Sequence, residues 1–152
     1  PVPGKEEYLN SEKYEYKVWD WDRPGNITDY VSQVNAIRRD HPALHEYENL
    51  RFVETSDDNV LAYYKATEDL TDIVLVIVNL DPFHTHESMV SLPLARIGVD
   101  PDGQVRAHEL LSNETFLWTG SEQHVRLDPN HNPAMIFRIQ EWVHRDYVEP
   151  DA

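Results

Sequence analysis

Apolar and polar positions change their period along the chain near residue 50. Before that point, one segment carries apolar side chains at helical spacing: Ile27, Tyr30, Val31, Val34 and Ile37. We predict an amphipathic α-helix over 27–40, with Asn26 as its N-cap and Pro42 beyond its end. The opposite face is polar, so this helix needs a protein surface to lie on.

Beyond Leu50 the pattern is that of short β-strands separated by turn residues. The predicted strands cover 51–54, 60–66, 73–79, 87–92, 105–110, 115–118, 123–127 and 134–139. Residues 73–79 read IVLVIVN, a continuous apolar run that predicts a central strand buried on both faces. Many short strands without alternating helices predict a mainly β antiparallel sandwich over 49–142, followed by an acidic tail over 143–152.

The segment that precedes the helix is rich in aromatic residues but has no regular period. It contains Tyr8, Tyr14, Tyr16, Trp19 and Trp21 among interleaved charges. Aromatic side chains beside hydrogen-bonding charges are typical both of a sugar site and of a packed interdomain loop. From the residues alone, interdomain packing is favoured and a sugar site is the alternative.

Charge and composition narrow the possible partners. The 152 residues include 28 acidic and 13 basic side chains, a formal net charge of -15, which disfavours nucleic acid and anionic membranes as partners. The absence of cysteine excludes disulfides and thiolate metal sites. Because the sequence has neither a membrane-length apolar run nor a signal-peptide pattern, we expect a cytoplasmic protein. The first residue is Pro1, not methionine, which suggests a fragment of a longer chain.

The titratable residues do not predict a complete active site. Neighbouring carboxylates occur as Glu6 with Glu7, Asp20 with Asp22, and Asp57 with Asp58. In a chain this acidic, we expect these carboxylates to be solvated and not to form a glycosidase pair. His84 and His86 have zinc-compatible spacing, but no third or fourth ligand is evident, so we expect a loop and no metal. The few glycines form no phosphate-binding or dinucleotide motif, and no cofactor is expected.

Two tryptophans of the β region are candidates for stacking on a sugar ring. A carbohydrate-binding module would use Trp118 or Trp142 in this way. A single tryptophan on a strand beside Phe116 more often packs in the core or at an edge, and this is the expectation for Trp118.

Longer stretches resemble a known family. They read EYLNSEKYEYKVWDWDRPGNI, IRRDHPAL, LRF, LAYYKAT, VLVIVNLDPFHTH, HELLSNETFLWTG and VRLDPNHNPAMIFRI. These stretches are similar to the C-terminal part of the glucan:maltose-1-phosphate maltosyltransferases, members of the α-amylase superfamily. The resemblance runs from about Gly4 to Ile139, and the Glu-Lys-Tyr-Glu run at 12–15 with the later Trp-Asp pair is fairly specific to that family.

The resemblance implies an architecture. Residues 1–48 would be the remnant of a (β/α)8 catalytic barrel, consisting of its last loop and its last helix. Residues 49–142 would be an antiparallel Greek-key β-sandwich of the α-amylase C-terminal type. Without the rest of the barrel, the 27–37 face of the helix would pack on the sandwich or on a second copy of the chain.

The resemblance also implies a function. Lys13 and Tyr14 would help to hold the donor maltosyl unit, while the catalytic carboxylates and the phosphate-binding residues have no matching position here. The parent enzyme would transfer maltosyl from maltose 1-phosphate to an α-1,4-glucan with retention, and this chain alone would be inactive. Its partner would be the missing barrel. The alternatives are a free-standing carbohydrate-binding module, and the tail of another glucan hydrolase or of a trehalose-forming isomerase.

Overall fold

The computed structural model describes residues 3–4, 16 and 18–142 of the chain. One α-helix, α1, covers Thr28–Asp40 and is followed by a short 3-10 turn over Pro42–Leu44. The strands are β1 Leu50–Val53, β2 Val60–Ala66, β3 Ile73–Asn79, β4 His86–Ser91, β5 Gln104–Glu109, β6 Thr115–Thr119, β7 Glu122–Leu127 and β8 Ala134–Glu141. A second 3-10 turn covers Leu94–Ile97.

The strands form two antiparallel sheets. Six strands pair in the order β1-β2-β3-β8-β5-β6, and β4 pairs with β7 in the second sheet. After β6 and β7, the chain returns in β8 to lie beside β5, which is the connection of a Greek key. This arrangement confirms the predicted mainly β antiparallel sandwich with one preceding helix.

The main core lies between the two sheets, because alternate residues of the strands point inward. Its fully buried side chains include Leu75, Ile77, Val90, Leu127 and Phe137. Strand β3 is buried on both faces, as predicted. Val74 and Val76, on its outer face, pack with Ala43 and Leu44 of the first 3-10 turn.

The observed boundaries follow the predicted ones closely. Strands β2 and β3 match their predicted ranges, whereas β8 continues to Glu141 because its end pairs with Val105 of β5. Ile27 occupies the N-cap position, so the prediction of Asn26 there is wrong by one residue. Asn26 instead donates to Arg23 O and accepts from the backbone N–H of Thr28, and these bonds close the turn before the helix.

The helix ends where its sequence requires. His41 adopts an extended backbone, as expected for a residue that precedes proline, and α1 stops at Asp40. Burial along the helix is uneven: Ile37 is 8% exposed, whereas Ile27 is 68% and Val31 is 45% exposed. The apolar stripe is therefore covered at its C-terminal end, and its N-terminal half lies open to solvent.

Candidate functional site

Lys13 and Tyr14, the predicted sugar-contacting residues, lie outside the described residues. The described end of the lead-in places Trp19 and Trp21 beside the open half of α1. Together they form an open groove of about 540 Å³, which we call the tryptophan groove. Its lining residues are Trp19, Asp20, Trp21, Gly25, Asn26, Ile27, Thr28, Val31 and Ser32.

The tryptophan groove is mainly an apolar surface. Trp19 and Trp21 are 67% and 72% exposed, and Ile27 and Val31 of the helix adjoin them. Gly25 shapes the turn between the two parts with a φ of 80°, a left-handed value that favours glycine. Contiguous exposed apolar area of this kind is typical of a surface that another protein segment covers. The groove thus favours the interdomain interpretation of the aromatic lead-in.

A buried carboxylate fixes the helix to the sandwich. Asp72, immediately before β3, accepts a hydrogen bond from the backbone N–H of Ala43 at 3.0 Å. Its other oxygen lies 2.8 Å from Nδ1 of His41, which must carry a proton to donate to a carboxylate. Asp72 thereby holds His41 and Ala43, two of the three residues that directly follow the helix. Sequence reasoning missed this contact, because it joins residues 31 positions apart.

Two side-chain amides add further contacts between the helix region and the sandwich, and we call this zone of contact the seam. Gln33 on α1 donates through Nε2 to the carbonyl oxygens of Leu110 and Leu111, at 3.3 and 2.8 Å. Asn49 donates to the carbonyl oxygens of Ala43 and Ala66, at 2.8 and 3.0 Å. The helix is therefore held at both its middle and its end.

The two histidines at 84 and 86 lie in a hydrogen-bonded cluster with two aspartates. His86 Nδ1 lies 2.6 Å from Asp57 Oδ2, and His86 Nε2 lies 3.2 Å from Asp81 Oδ2. His84 Nδ1 approaches the same Asp81 oxygen at 2.7 Å. Asp57 is therefore paired, contrary to its expected solvation. The cause is the sandwich fold, which brings the 56–59 turn against the start of β4.

Hydrogen bonds in this cluster shift the pKa values of His86, Asp57 and Asp81. The hydrogen bonds that His86 donates to Asp57 and Asp81 raise the pKa of His86. The backbone N–H of Asn59 and then the imidazole of His86 lower the pKa of Asp57. The backbone N–H of Phe83, followed by the two histidines, lowers the pKa of Asp81. Among residues 3–4, 16 and 18–142, no group of three or more acidic or histidine side chains is arranged to hold a metal ion.

Of the two candidate sugar-stacking tryptophans, Trp142 is 44% exposed, whereas Trp118 is engaged in packing. The ring of Trp118 lies against Phe137, with centroids 4.8 Å apart and planes tilted by 56°. Trp118 is half-buried at the edge of the main core. It follows the expectation of edge packing. Within the described residues, no helix has both the length and the apolar character that crossing a bilayer requires.

These features define the class of the chain: an antiparallel β-sandwich domain, a 3-10 turn packed on one sheet, and a preceding helix with an apolar groove on its flank. The chain belongs to the family described as GLGE, C-terminal, which matches residues 52–139. The match covers more than half of the chain.

Similar full-length proteins share one name. The chain is 47% identical, over 139 residues, to the alpha-1,4-glucan:maltose-1-phosphate maltosyltransferase of Myxococcus xanthus, and 45% identical to that of Cereibacter sphaeroides. It is 43% identical to the second such protein of Streptomyces coelicolor. The first two alignments cover 91% of this chain and 21% of the relative, so the chain spans about a fifth of their length.

Proposed function

We propose that the chain is the C-terminal accessory part of an enzyme that transfers maltosyl from maltose 1-phosphate to the end of an α-1,4-glucan with retention. The observation that carries the proposal is identity of 47% and 45% along 91% of the chain to proteins of that printed name. The chain would contribute structure, and the catalytic carboxylates would lie in the other four fifths of the protein. The protein would work in the cytoplasm and without a cofactor.

In this proposal, residues 1–48 complete the catalytic domain and residues 49–142 form the accessory sandwich. The tryptophan groove supports such a division, because its open apolar surface lies on the part assigned to the catalytic domain. The missing (β/α)8 barrel would cover the groove in the parent protein. Lys13 and Tyr14 would then reach the donor sugar with an ammonium and a phenol, both of which donate hydrogen bonds to hydroxyls.

In the isolated chain, a second copy is the alternative cover for the same surface. The exposed N-terminal half of the helix stripe, with Ile27, Tyr30 and Val31, favours this pairing. Sedimentation of the chain at several concentrations tests it. A dimer that Val31→Glu dissociates supports the pairing, and a monomer at every concentration contradicts it.

The proposed function is tested by phosphate release. Full-length protein is incubated with maltose 1-phosphate and maltohexaose, in parallel with the 152-residue chain alone. We expect the full-length protein to release phosphate in proportion to glucan extension, and the chain to release none. No release by the full-length protein contradicts the proposed activity, and release by the pure chain contradicts its accessory role.

A further inference from the structure

The loop between β3 and β4 joins the two sheets of the sandwich and carries an exposed aromatic residue. It covers residues 80–85, and Phe83 near its middle is 82% exposed. Two side chains hold this loop, one from each of the strands that it connects. One is Asn79, which does not titrate, and the other is His86, which does.

Asn79 fixes the base of the loop at every pH. Its Nδ2 donates to the carbonyl oxygens of His84 and Leu127, at 2.9 and 3.4 Å, and its Oδ1 accepts from the backbone N–H of Asp81 at 2.8 Å. The residue is only 9% exposed. Because an amide side chain carries no charge, these bonds do not depend on protonation.

His86 ties the loop to a second segment, the 56–59 turn between β1 and β2. Its Nδ1 lies 2.6 Å from Asp57 in the turn, and its Nε2 lies 3.2 Å from Asp81 in the loop. The side chain of His86 is 16% exposed. Only a doubly protonated ring can donate to both carboxylates, so this arrangement requires the imidazolium.

The charged groups of the neighbouring strand β7 and the loop after it have partners of their own. The residue of β7 that lies opposite His86 is the apolar Leu127. The charged pairs on either side of Leu127 are Arg126 with Glu87 and Asp128 with His131. The charge balance at the ring is therefore set by the two carboxylates that it contacts.

A neutral ring can keep only one of these two contacts, and the geometry selects which. Asp57 is the nearer carboxylate, and His86 is the hydrogen-bond partner of its Oδ2. Asp81 Oδ2 also lies 2.7 Å from Nδ1 of His84, and its Oδ1 accepts the backbone N–H of Phe83. Asp81 therefore loses less than Asp57 would on parting from the ring. A deprotonated Nε2 also turns a lone pair toward Asp81, and the two repel.

We propose that His86 is a proton-operated latch on the 80–85 loop. In its doubly protonated form, His86 fastens the loop to the 56–59 turn. When Nε2 gives its proton to solvent, the ring stays bound to Asp57 and releases Asp81. The middle of the loop, with Phe83, then gains freedom while Asn79 holds the base. This latch goes beyond the proposed function and does not depend on it.

The titration behaviour of the ring agrees with the closed form of the latch. The hydrogen bonds that His86 donates to Asp57 and then to Asp81 raise its pKa above the ordinary value of 6.5. The closed form therefore persists below that value, and release occurs as pH rises through the folded-state pKa. A local charge change at a bistable contact is the usual basis of such a switch.

The test is NMR of the isotope-labelled chain through the titration of His86. The shifts of the ring nitrogens identify which one loses its proton, and backbone relaxation at Asp81 and Phe83 reports the freedom of the loop. We expect Nε2 to deprotonate, and the order parameters of these two amides to fall from about 0.85 towards about 0.6 over the same pH range. The amide of Leu80, which donates to the carbonyl oxygen of Asn59, should stay rigid and serves as the internal reference.

Two variants separate a latch from a contact that is merely structural. His86→Gln cannot carry a charge, so its loop should show no step in motion with pH. Asp81→Asn keeps an oxygen that can accept the loop amides but lacks the charge, so the step should vanish and His86 should titrate at lower pH. His131→Gln is the matched control, because it removes a histidine–aspartate pair in another loop and should keep the full step. Thermal melting checks that each variant folds.

Three results overturn the latch. The first is loop amides whose order parameters do not change while His86 titrates. The second is deprotonation at Nδ1 in place of Nε2. The third is a step in loop motion that persists in both His86→Gln and Asp81→Asn. Phosphate release by the full-length protein is measured separately and bears only on the proposed function.

Discussion

At the residue scale, His86 shows how a short sequence pattern gains its meaning from the fold. A neutral imidazole donates only one hydrogen bond, yet both ring nitrogens of His86 face carboxylate oxygens, those of Asp57 and Asp81. The geometry therefore favours the doubly protonated ring. The sequence placed His84 and His86 two apart but gave no sign of Asp57, because that contact spans 29 residues.

The charged state of His86 leads to a pH-dependent stability. Its folded-state pKa is raised above the ordinary value of 6.5, so its stabilising contribution is complete below that value and is lost as pH rises through the folded-state pKa. We expect the thermal midpoint of the chain to fall as pH rises from 6.5 through the folded-state pKa of His86. The His86→Gln variant should lack the part of this decrease that His86 causes. NMR titration of the His86 ring checks the direction of the shift. A pKa at or below the ordinary value would contradict the cluster.

At low pH, the two aspartates of the cluster make stability fall as pH decreases. The pKa values of Asp57 and Asp81 are lowered from 3.8, so their contribution is present above that value and is lost as pH falls through their folded-state pKa values. Asp57→Asn should therefore reduce the acid sensitivity of the chain, measured by melting at acidic pH. Asp58→Asn, on an exposed neighbour, is the control and should behave as the parent chain.

Lys13 and Tyr14 are predicted to contact the donor sugar in the full-length protein. Removing a single sugar hydrogen bond with Tyr14→Phe should lower kcat/KM for maltose 1-phosphate about tenfold. Lys13→Met should lower it by at least as much, because charged donors make stronger hydrogen bonds. Tyr47→Phe is the matched control and should leave the rate unchanged. Full activity in both test variants would remove these residues from the donor site.

At the element scale, the strands could be predicted well and the seat of the helix could not. The IVLVIVN run fixes β3 as a strand buried on both faces, and the ranges of β2 and β3 follow from alternation and turn residues. The cover on the outer face of β3 is the 3-10 turn with Ala43 and Leu44, which no periodicity marks. Asp72 helps to hold this turn in place, through a hydrogen bond between residues that are 29 positions apart.

Asp72 should therefore stabilise the seam measurably. Asp72→Ala removes the acceptor of the buried Ala43 N–H and of His41, which should cost about 1–3 kcal/mol of unfolding free energy. Denaturant unfolding of the chain measures this cost. Asp58→Ala, at an exposed turn position, should cost little. Equal stability of the two variants would mean that Asp72 does not anchor the helix.

At the scale of the whole molecule, the described part of the chain combines a buried sandwich core with an open apolar flank. Its eight strands bury a continuous core, whereas Trp19, Trp21, Ile27 and Val31 leave an apolar groove open. The sequence indicated this asymmetry through the change of period near residue 50 and the irregular aromatic segment. The contacts between the helix region and the sandwich were beyond sequence reasoning, because they join segments that are far apart in the chain.

In the proposed parent protein, we expect the catalytic barrel to cover the tryptophan groove. Val31→Glu places a charge on an exposed position of the chain and should change its unfolding free energy by no more than about 0.5 kcal/mol if the chain is monomeric. In the full-length protein the same change should bury an unpaired charge and lower the thermal midpoint strongly. Thermal melting of both proteins makes the comparison. Equal, small effects in both would contradict a barrel seated on this groove.

The most direct test of the central claim is the product ladder of the full-length protein with maltohexaose, in the presence and absence of maltose 1-phosphate. The account predicts α-1,4-linked products that grow by two glucose units at each step, and only when maltose 1-phosphate is present. Shortening of maltohexaose without the phosphate donor would identify a hydrolase. Growth by single glucose units, or trehalose formed from maltose, would likewise contradict a maltosyltransferase.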